Sequence, residues 1–594
     1  MQLACTTDLE LHLAEIWPDA PAASVDVDLC PPEFDGDVTL NCFLLARQLR
    51  RPPAAIAETA AAFLGSHTDV VDCEQIKAFV NITLAPAALF RDTVADAAAV
   101  LAAARLPAAQ RQRVLIEFSA PNTNKPQHLG HVRNNAIGMA MTSILRAAGH
   151  TVIPVNLVND RGIHICKSML AYQRWGGNET PDTSGCKGDH LVGDYYVRFD
   201  RELRAQLAAL REARPELKDR NDEDLFAETE IGRAAQDMLR RWEQGEPETR
   251  ALWATMNHWV LDGFAATYAR MGVAFERTYL ESETYTYGKA IVEKGLAEGV
   301  FERRGDGAVI IDLSADQLDS KVVLRADGTS VYVTQDIGTT VIKQNDYSPD
   351  MQVWVVGDEQ IYHFRVLFAI LKALGFTDAD KLRHMAYGMV NLPSGKMKSR
   401  EGTVVDADDL FAELEALAAA ATLERSDGLA DAELARRARV IGMAALKFML
   451  LKVNPRTTLL FDPEASLKFE GDTGPYVLYA CARISSMLRK AGDEESAGPV
   501  PWAALDTAEA KQLALRCTLY GETVRRAAAD FDTSRLANYL LDLAKAFSRF
   551  YQACPVLTAP SAEQRQARLA LSRQTRNVLR AGLHALSIET LDSM

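Results

Sequence analysis

Two histidines three residues apart, with a glycine between them, are the first place in this chain where chemistry could be done. His128, Gly130 and His131 close the run Asn124-Lys-Pro-Gln-His-Leu-Gly-His131. Imidazoles at that spacing reach one charged group together, and the glycine lets a phosphate or a flat ring approach the backbone. Lys125, directly before Pro126, adds a cation to the same turn. A second cationic segment lies far downstream, Gly395-Lys-Met-Lys-Ser-Arg-Glu-Gly-Thr403. Lysines on a short loop bounded by glycines act as flexible point charges toward polyphosphate. A His-x-x-His pair alone is more often structural than catalytic; the lysine segment tips the balance toward phosphate chemistry.

Such groups need a scaffold. Residues 114–118 read as an apolar strand that feeds a Pro/Asn turn, and 133–148 as a helix with Ile137, Met141, Ile144 and Leu145 on one face. A strand leading into a helix N-terminus offers backbone N–H groups and a helix dipole to an anion. Residues 151–158 and 353–356 read as further strands, so the pattern predicts a doubly wound parallel sheet. The Arg- and Glu-rich segment 176–275 has helical periodicity through Leu203, Leu207 and Leu210 and reads as a helical insertion, its charges better explained by a solvated face than by RNA. Residues 1–105 form a separate first unit, helical around 46–64 and strand-like at 75–84. Beyond Asp431 nearly everything is helical. Leu536, Leu540, Leu543, Phe547 and Phe550 make one stripe behind Ser534 as N-cap, and Arg565, Arg568, Arg573, Arg576 and Arg580 line the final region.

Composition sets bounds. A chain of 594 residues exceeds one core and implies three or four domains. No apolar run reaches membrane-spanning length, and the N-terminus has no secretory pattern. Nine scattered cysteines without a Cys-x-x-Cys pair argue against a zinc site or a disulfide framework and fit a cytoplasmic location. A net charge of −15 permits a nucleic-acid partner only through a local basic surface.

The histidine and lysine segments resemble the two signature motifs of class I aminoacyl-tRNA synthetases. Four further stretches resemble the arginyl-tRNA synthetase family: Glu117-Phe-Ser-Ala-Pro-Asn122, Asp327-Gly-Thr-Ser-Val-Tyr332-Val-Thr-Gln-Asp336, Val355-Val-Gly-Asp-Glu-Gln360 and Phe469-Glu-Gly-Asp-Thr-Gly-Pro-Tyr476. The resemblance implies an α+β N-terminal domain at 1–105 that touches the tRNA elbow. It implies a Rossmann-type catalytic domain at 106–430 with the insertion at 176–275, and an all-α anticodon-binding bundle at 431–594. It implies a ligase that activates L-arginine with ATP and transfers it to arginine tRNA, as a monomer, with Mg2+ travelling with ATP and pyrophosphate.

By the same resemblance, His128, Gly130, His131, Lys396 and Met397 bind ATP, and Lys125, His128, His131 and Lys396 are catalytic. Glu117, Asn122, Tyr332, Asp336 and Gln360 bind arginine, the carboxylates Glu117 and Asp336 at its guanidinium and Asn122 and Gln360 at its α-amino end. Phe79 and Asn81 meet a D-loop base of the tRNA. The fourth position of the lysine motif, a lysine across the class, is Ser399 here; Lys125 or Lys398 is the replacement. The i, i+4 spacing of Tyr332 and Asp336 puts them on one face of a helical turn, while Asp336 could instead serve as an N-cap. The competing readings are another class I synthetase, a small-molecule nucleotidyltransferase that shares the histidine motif but leaves the helical C-terminal third unexplained, and a synthetase-like protein that binds tRNA without catalysis.

Overall fold

The computed structural model describes every residue except 2, 32, 377, 392–404, 426–427 and 493–498. Its centre is a five-stranded parallel sheet. In chain order the strands are β1 (Arg113–Glu117), β2 (Thr151–Val158), β3 (Arg277–Leu280), β4 (Met351–Gly357) and β5 (Leu382–Tyr387). Their order across the sheet is β5-β4-β1-β2-β3. The inner strands are continuous apolar runs because helices cover both faces; Val114, Leu115 and Ile116 are all buried. The chain starts at β1, steps outward to β3, then crosses back to β4 on the other side. The crevice beyond the C-terminal ends of β1 and β4 is therefore the topological switch point, where ligands bind in open α/β sheets.

Six helices position the groups that matter. They are α1 (Leu129–Ala147), α2 (Gly188–Ala213), α3 (Pro247–Met271), α4 (Tyr332–Tyr347), α5 (Ile361–Ala373) and α6 (Ala407–Leu423). Helix α1 starts at Leu129, four residues before the expected Arg133, because His128 itself caps it. Between β2 and β3 the chain builds a helical insertion from Ile163–Trp175 through α3, with its own core around Phe199, Leu225, Ile231 and Phe264. A second excursion between β3 and α4, absent from the sequence expectation, folds a three-stranded antiparallel sheet of Glu302–Arg303, Val309–Ile311 and Lys321–Leu324.

The N-terminal unit is an antiparallel sheet ordered Val27–Leu29, Val38–Asn41, Phe79–Leu84, Val70–Ile76, with helices packed on it. It meets the C-terminal bundle directly: Lys511 Nζ lies 3.4 Å from Asp37 Oδ2. The helices after Asp431 bury the expected stripe, Leu536 through Phe550. Their expected cap Ser534 is corrected. Asp532 is the N-cap, accepting from the Ser534 N–H at 3.0 Å, and the Ser534 hydroxyl donates to the same carboxylate. An ionised carboxylate is the better acceptor at a helix dipole. The terminal arginines are partly engaged inside the bundle. Arg568 donates to the Pro555 carbonyl at 2.8 Å and Arg580 pairs with Asp592.

Candidate active site

The turn after β1 is held in an unusual shape. Ser119 and Ala120 both adopt positive φ, 82° and 48°, which non-glycine residues take only when their surroundings enforce it. Here the enforcement is visible. Asn134 Oδ1 on α1 accepts from the Ser119 N–H at 2.6 Å, and Asn156 Oδ1 on β2 accepts from the Ala120 N–H at 3.0 Å. The Ser119 hydroxyl meets Tyr268 OH on α3 at 2.6 Å. The strained turn delivers Asn122, Lys125 and the two histidines to the switch-point crevice.

The histidines cap α1 reciprocally. Gly130 N–H donates to His128 Nδ1 at 3.1 Å, and His128 N–H donates to His131 Nδ1 at 3.2 Å. Each ring therefore carries its proton on Nε2 when neutral. Burial first, then the charge of Lys125, pushes His128 down to about 4. His131, buried beside both, lies well below the usual histidine value for the same reasons. At neutral pH the pair is two uncharged Nε2–H donors with ring centroids 4.0 Å apart. Burial also lowers Lys125.

Lys396 and Met397, with Lys398 and Ser399, lie outside the described residues. Both flanks of that segment are described; the downstream one runs beside the histidine turn and the upstream one is held from α1. Downstream, Leu129 N–H donates to the Val405 carbonyl at 3.1 Å and Ala407 N–H to the Gln127 carbonyl at 3.0 Å, with His128 and Asp406 facing each other as an antiparallel bridge. Upstream, Val390–Asn391 pairs with Leu459–Leu460. Arg133, fully buried on α1, ties this pair of strands down by donating to the carbonyls of Met389, Pro455 and Thr457 at 2.7, 3.1 and 2.7 Å.

The acidic groups are distributed differently from expectation. Glu117 ends β1 and is buried, and its carboxylate pairs with the fully buried ammonium of Lys343 on α4. Its charge is already compensated. Asp336 lies on α4 four residues after Tyr332, inside the helix, whose N-cap is Val331. Tyr332 is 81% exposed. Asp336 Oδ2 meets His363 Nε2 on α5 at 2.6 Å, and that contact holds His363 above the usual histidine range. Glu281, directly after β3, is a carboxylate the sequence reading missed. Burial raises its carboxyl, opposed by Arg161, and the charges of Asp160 and Asp336 raise it further. Asn122 and Gln360 are exposed at the ends of β1 and β4, Asn122 bridged to Asn159 beyond β2.

On the N-terminal sheet Phe79 is exposed and packs edge-on against the exposed Phe43, centroids 5.8 Å apart. Asn81 is 4% exposed. The structure presents the ring and encloses the amide, so the two are not offered to a base together.

Three family models cover most of the chain: the arginyl-tRNA synthetase N-terminal domain over residues 6–84, the class I (R) tRNA synthetase catalytic domain over 96–462, and the DALR anticodon-binding domain over 477–594. The chain belongs to the arginyl-tRNA synthetase family. An arginine–tRNA ligase of Bacteroides fragilis is 44% identical over 584 residues, 97% of this chain and 96% of the relative. One from Parabacteroides distasonis is 42% identical over 582 residues, with the same coverage. The Thermus thermophilus arginyl-tRNA synthetase structure superposes with a TM-score of 0.79 at 28% identity, covering 99% of this chain and all of that one. Charging tRNA with arginine is thus the reaction this geometry serves, and a tRNA-binding relative without catalysis is not favoured. Among the described residues no helix is long and apolar enough to cross a membrane.

Proposed function

We propose that this arginine–tRNA ligase works at the switch-point crevice, with ATP along the start of α1 and arginine across the C-terminal edge of the sheet. The observation that carries the reading is the locked pair of Nε2–H donors at His128 and His131. When the arginine carboxylate attacks the α-phosphate, negative charge grows on the phosphate oxygens. Fixed donors that need no reorientation stabilise it most there. Gly130 leaves the adenine room against the backbone. Lys125 lies beside His128 and adds the only charge in this turn, with Lys396 its counterpart on the lysine segment. Mg2+ enters with ATP as part of the substrate.

For arginine, Asp336 and Glu281 serve as the two carboxylates a guanidinium takes, the charge of Asp336 adding to that of Asp160 in raising Glu281. Glu117, with Lys343 on its carboxylate, belongs with Asn122 and Gln360 at the α-amino end, on β1 and β4 and away from β3. The enzyme works as a cytoplasmic monomer, and Phe79 supplies a stacking face to the tRNA elbow.

Pyrophosphate exchange, with and without tRNA, tests the assignment. His131→Ala should lower adenylate formation by orders of magnitude with tRNA affinity nearly intact. Asp336→Asn should weaken arginine by about 2 kcal/mol, roughly thirtyfold, with ATP affinity unchanged. A His131→Ala enzyme within a few-fold of normal makes the histidine structural.

A further inference from the structure

Helix α2 belongs to the helical insertion, yet its first two turns touch the histidine turn on one side and Asp406 and Asp408 on the other. Gly193 is the first contact. A Cβ at this position would stand 2.8 Å from Pro126 Cδ and 3.6 Å from Lys125 Cα. A glycine here lets the helix lie flush against the residues that lead into His128.

The second contact is ionic. His190 Nε2 lies 3.2 Å from Asp406 Oδ2 and 3.5 Å from Asp408 Oδ2. Lys187, the N-cap residue of α2, reaches Asp408 Oδ2 at 2.6 Å and Thr267 Oγ1 on α3 at 2.6 Å. Arg270, also on α3, holds Asp408 Oδ1 at 3.0 Å and Glu415 at 3.2 Å. Two helices of the insertion thus grip the start of α6.

Asp406 joins this grip to the chemistry. Its Oδ1 caps α6, accepting from the N–H groups of Asp408 and Asp409 at 2.8 and 3.2 Å. Its backbone faces His128 across the isolated bridge. The nearby carboxylates of Asp406 and Asp408 raise His190 to about 10, so the cation persists through the physiological range. Against the opposing effect of burial, His190 draws Asp406 down.

We propose that the first two turns of α2 splint the ATP site, fixing the spacing between the Lys125–His131 turn and Val405–Asp406, with His190 as a positioning residue that acts through Asp406. The helical insertion then has a part in arginine activation itself. This rests on the reading of His128 and His131 as the phosphate-facing pair.

The test uses the full-length enzyme with its tRNA in arginine-dependent pyrophosphate exchange. His190→Asn should lower kcat at least tenfold and raise the KM for ATP, while the KM for arginine stays within twofold. His190→Lys returns a cation to the site and should restore at least half of the loss. Asp406→Asn keeps a capping oxygen and loses only the charge, so it should be non-additive with His190→Asn. Gly193→Ala, which forces Pro126 or the helix to give way, should reproduce the kcat loss without touching the arginine KM. Melting curves and tRNA affinity separate these effects from misfolding. A His190→Asn enzyme within twofold of normal, a loss that lysine does not restore, or additivity with Asp406→Asn overturns the splint. Should His131→Ala abolish exchange while His190→Asn does not, the splint alone falls; should His131→Ala be near normal, the reading of the histidine pair falls first.

Discussion

Arginine affinity should fall about fivefold between pH 8 and pH 6, and one histidine should account for it. In the free protein His363 sits on Asp336, the carboxylate proposed above for the guanidinium, Nε2 to Oδ2 at 2.6 Å. The Asp336 hydrogen bond raises His363 against the opposing effect of burial. A raised histidine keeps its pairing below its unperturbed value near ~6.5 and loses it as pH climbs through the raised one. Below the raised value arginine must therefore displace a cation from Asp336; as pH climbs through it toward pH 8 that competitor gives up its charge. A hydrogen bond between charged groups is worth roughly 1.5–3 kcal/mol. Since 34% of the Asp336 side chain and 29% of the His363 ring face water, screening reduces this to about 1 kcal/mol, somewhat over fivefold.

Other groups bear on the same carboxylate. Glu281, raised by burial, also gains protons toward low pH and shifts affinity in the same direction. His384, which burial lowers, is bonded to the Val356 carbonyl and not to this carboxylate. Calorimetric titration of arginine at the two pH values, in two buffers of different ionisation enthalpy, measures affinity and proton release together. His363→Gln should flatten most of the pH dependence and remove the released proton. An unchanged pH slope in that variant, or arginine binding without proton release near pH 6.5, refutes the displacement.

Two further outcomes follow from the site. Lys125→Ala should lower the activation rate far more than it raises the arginine KM, and Ser399→Lys in the same protein should return part of the rate; normal turnover would assign the charge to Lys398 or another cation. Arg133→Met should destabilise the protein by about 3–5 kcal/mol, read from chemical denaturation, because three buried carbonyls lose their donor.

The three inner strands were legible because parallel strands buried on both faces are plain apolar runs, while the short or more polar edge strands β3 and β5 were not. Residues 151–158 match β2 to the residue, and 114–118 and 353–356 fall within a residue or two of β1 and inside β4. The start of α1 was missed because a histidine is an unusual cap, and its role shows only when its ring meets the Gly130 N–H. The small antiparallel sheet was missed because strands of two to four residues leave no period to read. Site chemistry divided the same way. Motif residues that share one turn, Lys125 through His131, were visible together. Lys343 against Glu117, His363 against Asp336 and His190 against Asp406 were not, since nothing local announces which distant charge a residue will meet. Glu281 had no motif around it at all.

The buried guanidinium of Arg133 also bears on how the chain is made. Its partners Met389, Pro455 and Thr457 lie 256, 322 and 324 positions later. At ribosomal speeds of roughly 5–20 residues per second, about 15–65 seconds separate the emergence of Arg133 from that of its last acceptor. Through that interval the Arg133 guanidinium lacks the three carbonyls that accept its hydrogen bonds, so burying it in the catalytic unit would leave its donors unsatisfied. The Arg133 contacts of the nucleotide site thus cannot form until most of the polypeptide has been made.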